Sequence, residues 1–199
     1  MARLLFIDTE TGGLDPEKHS LLSVGFVVWD SILGECYSAE YRLKSENYSI
    51  TRTAQKINKL TESDFFDAIN QKELIQKFEE IKETYFPDYA AIPLAGHNTQ
   101  FDVQFIKKMF KDNRRSFDNI FLHRIVDTYS ILKFLHDAGI ITDKIGSSAQ
   151  AFKFFGIVVD GRHTALGDAK ATMQLYEKMI RLLCEKLNFS QSVGISKDP

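Results

Sequence analysis

Leu4-Leu5-Phe6-Ile7-Asp8-Thr9-Glu10-Thr11-Gly12-Gly13 is an apolar run that ends on two acids and a pair of glycines. Four apolar residues in a row, closed by turn chemistry, predict a buried strand, and side chains two apart on a strand share a face. Asp8 and Glu10 therefore project together from the strand's end. At about 4 Å two carboxylates repel by on the order of 4 kcal/mol at an effective dielectric near 20, so the pair needs protonation, a basic partner or a metal. Hard divalent ions such as Mg²⁺ and Mn²⁺ prefer such oxygen donors. The glycines beyond them let backbone approach a ligand closely.

Outward from this run, residues 3–8, 21–29 and 35–43 read as strands separated by turns, close enough in sequence for an antiparallel meander. Helical patterns follow at 53–60, at 61–70, opened by Thr61-x-x-Asp64, and at 73–86. Residues 91–95 predict a short buried strand, 99–113 a helix, 121–126 a short extended segment, and 128–138, 147–155 and 165–187 three further helices. Strands first, then alternating helices and strands, predict an α/β fold with a mixed sheet flanked by helices. The last helix carries Leu166, Ala169, Met173, Tyr176, Ile180, Leu183 and Leu187 at alternating spacings of three and four. Leu175, Met179 and Leu182 widen that face beyond a coiled-coil seam, which assigns it to the core. Residues 1–189 read as one domain and 190–199, without apolar periodicity, as a frayed tail.

At 199 residues with a formal net charge of −2, the chain has no bulk positive field to hold a long polyanion, so any nucleic-acid contact must be local. Cys36 and Cys184 form neither a disulfide framework nor a metal-ligand spacing, which fits a reducing interior. With no signal-like or membrane-length apolar segment, the expected setting is the cytoplasm, with no membrane partner.

Two further acidic positions stand at helix starts. In His97-Asn98-Thr99-Gln100-Phe101-Asp102, Asn98 or Thr99 can cap the helix and Asp102 falls in its first turn. Phe105, Ile106 and Met109 lie three, four and seven residues on, so Asp102 shares the inward face and must be paired or bound to metal. In His163-Thr164-Ala165-Leu166-Gly167-Asp168 the histidine precedes the helix, in a loop opened by Asp160-Gly161. Imidazole is the side chain most readily poised as a general base near neutral pH. Asp168 sits beside the apolar stripe, free to point along the sheet edge. His19, His123 and His136 receive no role.

The segments DTETGG at 8–13, HNTQFD at 97–102 and HTALGD at 163–168 together resemble the three motifs of the DEDDh exonucleases. This is the superfamily of the proofreading subunit of bacterial DNA polymerase III, ribonuclease T and oligoribonuclease. The motifs occur in the family's order and at family-like separations, and the likeness extends over residues 3–187. Arg124-Ile125-Val126-Asp127-Thr128 also resembles the family's entry into its next helix, whereas residues 53–61 look like a degenerate early helix with Asn58 where a histidine is frequent.

The resemblance implies an RNase H-like fold and a 3′→5′ exonuclease using two divalent ions, Mg²⁺ or Mn²⁺. It implies Asp8, Glu10, Asp102 and Asp168 as the ligand set, with Asp8 bridging both ions, and His163 as general base. It further implies contacts to the terminal nucleotide from Thr11, Gly12 and Leu14, with His97 and Asn98 also on the substrate side. The expected partner is a single-stranded DNA or RNA 3′ end. A polymerase-associated or nucleic-acid-binding subunit and a hydrolase of free nucleotides remain the competing readings.

Overall fold

The structure is a computed structural model that describes residues 2–161 and 163–192. Three strands, β1 (Arg3–Thr11), β2 (Leu21–Asp30) and β3 (Gly34–Arg42), form the expected antiparallel meander. β4 (Leu94–Gly96) joins β1 in parallel and β5 (Val126–Asp127) joins β4 in parallel, giving the order β3-β2-β1-β4-β5. The helices are α1 (Arg52–Asn58), α2 (Gln71–Tyr85), α3 (Gln100–Asp112), α4 (Thr128–Asp137), α5 (Ser148–Phe154) and α6 (Ala165–Ser192). This is the mixed, helix-flanked sheet predicted from the order of the patterns.

Both faces of the sheet are covered. Leu5 and Ile7 of β1 pack into a cluster with Leu74 and Phe78 of α2 and Val103 and Ile106 of α3. Leu4 and Phe6, pointing the other way, pack with Ala169 and Met173 of α6. Coverage on both sides explains why all ten residues of β2 are buried, an uninterrupted pattern rather than an alternating one. Burial of a side chain such as Phe6 or Phe78 contributes roughly 1.5–3 kcal/mol. The consequence for the site is directional: even-numbered residues of β1 face α6, odd-numbered ones face α3.

Some expectations shift. The segment at 61–70 is not an α-helix but a short 3-10 turn, Glu62–Phe65, although its Thr61/Asp64 capping box forms as read. The 91–95 segment is strand only from Leu94 and 121–126 only at its end, in β5, although Ile92 and Phe121 form an isolated parallel bridge. In α6, Ala169 and Met173 are buried as the stripe predicts, but Ile180 is 38% and Leu187 62% exposed, while Leu175 and Met179 are buried against α4 and α5. The reason is length: 28 residues of helix run about 42 Å, beyond the roughly 33 Å of a ten-residue strand, so the far turns have no sheet beneath them. Phe154, at the end of α5, is 41% exposed. The helix continues through Ser192, past the predicted end at 187, and 193–199 of the expected tail lie outside the described residues. No described helix is long and apolar enough to cross a membrane.

Candidate active site

Asp8 and Glu10 stay within the ladder of β1, opposite Gly25 and Ser23 of β2, and the register then shifts between Glu10 and Thr11. A slip at that point ends pairing and turns the chain away, a use to which irregularities beside active sites are often put. Both acids face α6. Gly25 lets α6 reach them: a Cβ there would lie 2.2 Å from the carbonyl carbon of Ala165 and 2.2 Å from the nitrogen of Leu166. The helix start thus rests on bare backbone beside Asp8. One turn in, Asp168 is 8% exposed, and oxygens of Asp8, Glu10 and Asp168 all lie within 4.8 Å of one another. Oxygen ligands about 2.1 Å from one octahedral Mg²⁺ stand roughly 3–4 Å apart, so this donor set fits a hard divalent ion after slight closure.

Asp102 is not in that trio. It is 4% exposed in the first turn of α3, on the other side of β1, and its Oδ1 accepts a 2.7 Å hydrogen bond from the Thr9 hydroxyl. Of the four carboxylates read as one ligand set, the structure gathers three and holds the fourth by Thr9. Burial pushes the Asp102 carboxyl up to about 7, against the lowering effect of the Thr9 bond, and Asp127 nearby raises it further. The sign for stability follows. The unfolded chain loses this proton near pH 4 and the folded chain near 7, so stability falls as pH rises through that window. In EDTA the melting temperature of wild type should fall from pH 5 to 8 more steeply than that of Asp102→Asn; equal slopes would refute the assignment.

His163 is exposed, with φ +66°, two residues before α6 begins. Its loop is folded onto the first turn of the helix. The Thr164 hydroxyl donates to Gly161 O at 2.7 Å and accepts from Gly167 N at 3.1 Å, and a Cβ on Gly167 would meet Gly161 O at 2.3 Å. The loop that carries the histidine and the turn that carries Asp168 are therefore one packed unit.

Next to Glu10 opens a cavity of about 490 Å³, walled by the turn at Thr11, Gly13 and Leu14 on one side, by Ile57 and Asn58 of α1 on another, and by Phe101 of α3. Leu14 is 83% and Ile57 51% exposed, so two apolar side chains border its mouth. Gly12 is sewn into place: its N–H donates to Ser20 O and its carbonyl accepts from Thr51 N, each at 2.7 Å, and a Cβ would run into Ser49 O at 2.0 Å. His19, to which sequence assigned no role, lies under Gly13, where a Cβ would meet its ring at 2.6 Å. Asn58 Nδ2 donates to Thr11 O at 3.4 Å, which ties α1 to the end of β1. His97 and Asn98 do not line the cavity. The His97 ring is 3.0 Å from the Thr128 hydroxyl, and the Asn98 N–H donates to Asp127, whose side chain also caps α4. Neither Asn98 nor Thr99 caps α3 through its side chain as anticipated.

Comparison with known proteins shows the family. The family model described as Exonuclease matches residues 5–176. The chain is 26% identical over 197 residues to the DNA polymerase III subunit epsilon of Treponema pallidum (strain Nichols), a match spanning 96% of this chain and 84% of that protein. It is 26% identical over 194 residues to the 3′-5′ exonuclease DinG of Staphylococcus aureus (strain USA300), across 94% of this chain and 20% of the relative. E. coli exonuclease I in complex with a dT13 oligonucleotide is similar in fold, with a TM-score of 0.77 at 15% identity, covering 95% of this chain and 43% of that one. The chain belongs to the exonuclease family: it is a nuclease with an RNase H-like fold.

Proposed function

We propose that this exonuclease-family chain removes nucleotides from the 3′ end of single-stranded DNA or RNA, releasing nucleoside 5′-monophosphates. The observation that carries the reading is the abutment, at Glu10, of the Asp8–Glu10–Asp168 group and the cavity of about 490 Å³. A terminal nucleotide in the cavity has its phosphate beside the carboxylates. Leu14 and Ile57 would press on its base, and the backbone around Thr11 and Gly12 would hold its sugar. His97 and Asn98 would meet the strand outside the cavity, since neither lines it.

Asp8, Glu10 and Asp168 would hold one divalent ion, Mg²⁺ or Mn²⁺, and Asp102, once deprotonated, would join Asp8 in holding a second. When bound, the pair supplies Lewis-acid stabilisation of the charge that builds on the attacking and leaving oxygens. His163 would take the proton of the attacking water. Its exposed position on a loop packed against α6 leaves the ring room to swing toward the carboxylates. His163→Ala should lower the single-turnover rate by roughly 10²–10⁴-fold while Mn²⁺ affinity is kept. Loss of affinity in step with rate would make His163 a ligand or a structural element.

The test of function is a single strand labelled at its 5′ end, offered with Mg²⁺ or Mn²⁺ beside a 3′-blocked strand and a circle. A descending ladder from the open strand alone is expected, and internal cuts in the circle would refute the reading. Similarity to a polymerase III epsilon subunit favours one narrower role, proofreading within a polymerase. Co-purification of the chain with a polymerase catalytic subunit would support it.

A further inference from the structure

Across β2 from Asp8 stands Gly25, and across β3 from Gly25 stands Glu40. Register partners share a face, so Asp8, Gly25 and Glu40 form one row beneath α6 with bare backbone in the middle. The Ala165–Leu166 peptide lies on that gap. The first N–H groups of a helix lack intrahelical partners. At α6 the Gly167 N–H goes to the Thr164 hydroxyl and the Asp168 N–H to the Thr164 carbonyl at 3.0 Å. The Leu166 N–H goes instead to Glu40 Oε2, at 3.3 Å, on the far strand of the meander.

We propose that Glu40 is a positioning residue for the metal site: by holding the Leu166 N–H it sets the rotation of the first turn of α6 over Gly25, and so aims Asp168 at Asp8 and Glu10. This rests on the reading that those three carboxylates hold a divalent ion. Glu40 itself is outside the group within 4.8 Å, so it acts through the helix and not as a ligand. Two other ties between α6 and the meander among the described residues, Lys170 to Glu35 at 2.8 Å and the Trp29 indole to Glu177 at 2.9 Å, lie further along the helix. Nothing in the local sequence marks Glu40, because its partner is 126 residues away.

The test compares Glu40→Ala, Glu40→Gln and Glu35→Gln in the full chain. Glutamine keeps an oxygen for the Leu166 N–H and drops only the charge. Glu40 is half-buried on an edge strand, where truncation should leave the fold intact. Outer-shell partners of metal ligands are worth about 10–100-fold in metal affinity or activity. Glu40→Ala should therefore weaken Mn²⁺ binding and lower kcat by at least about tenfold, with KM for the oligonucleotide unchanged, and should speed hydrogen exchange at the Leu166 amide. Glu40→Gln and Glu35→Gln should match wild type in all three readouts. Wild-type Mn²⁺ affinity in Glu40→Ala would overturn the proposal, as would a Glu40→Gln protein as impaired as Glu40→Ala. If wild type bound no Mn²⁺, the functional reading would fall separately, and an unchanged Leu166 amide in Glu40→Ala would still overturn the anchor.

Discussion

Asp8→Ala should lower the single-turnover rate on an oligonucleotide by on the order of 10³-fold or more, with the far-ultraviolet spectrum unchanged. Metal ions at a phosphoryl centre supply several kcal/mol of transition-state stabilisation, and each 1.4 kcal/mol is a factor of ten. In the proposed ligand set Asp8 is the carboxylate shared by both ions. It lies on β1 two residues from Glu10, beside the point where Gly25 admits α6 and hence Asp168. Removing it leaves only Glu10 from the strand beside Asp168 from the helix, two ligands where three stood. Full activity in a folded Asp8→Ala protein would end the account of the site.

Gly25→Ala should be almost as damaging although it touches no ligand. A methyl group there would fall 2.2 Å from two backbone atoms and 2.5 Å from the carbonyl oxygen of Ala165. Backbone in a helix cannot rotate aside as a side chain can, so the start of α6 must retreat by about 1 Å or more. A misplacement of that size costs about 100-fold in rate. Overpacking of this kind also destabilises by about 1–3 kcal/mol, or roughly 2–12 °C in melting temperature for a chain of this size. Assayed below its melting point, Gly25→Ala should lose both Mn²⁺ affinity and kcat, whereas wild-type kcat would mean that α6 is not seated by this glycine.

What was legible in the sequence was local. Strand alternation put Asp8 and Glu10 on one face, and helix-start chemistry put Asp102 and Asp168 in first turns. The arrangement of those four was not local. Asp102 faces the opposite side of β1 and is held by Thr9, the residue between the two acids, whose role depends on which helix covers which face of the sheet. Gly25 did carry a signal: an isolated glycine inside an apolar strand marks close approach of another backbone. Nothing local says that the visitor is a helix start 140 residues later. The 3-10 turn at Glu62–Phe65 shows the converse, a capping box read correctly on a helix that never propagates. The exposed Ile180 and Leu187 show a helical stripe outrunning the surface it packs on.

The most direct measurement is Mn²⁺ binding to the full chain by titration calorimetry, in wild type, Asp8→Ala and Asp168→Ala, beside a surface control such as Glu46→Ala. One site built jointly by β1 and α6 predicts saturable binding in wild type and the control, and its loss in both site variants, although the replaced residues are far apart in sequence. Binding that survives in both Asp8→Ala and Asp168→Ala would contradict the account.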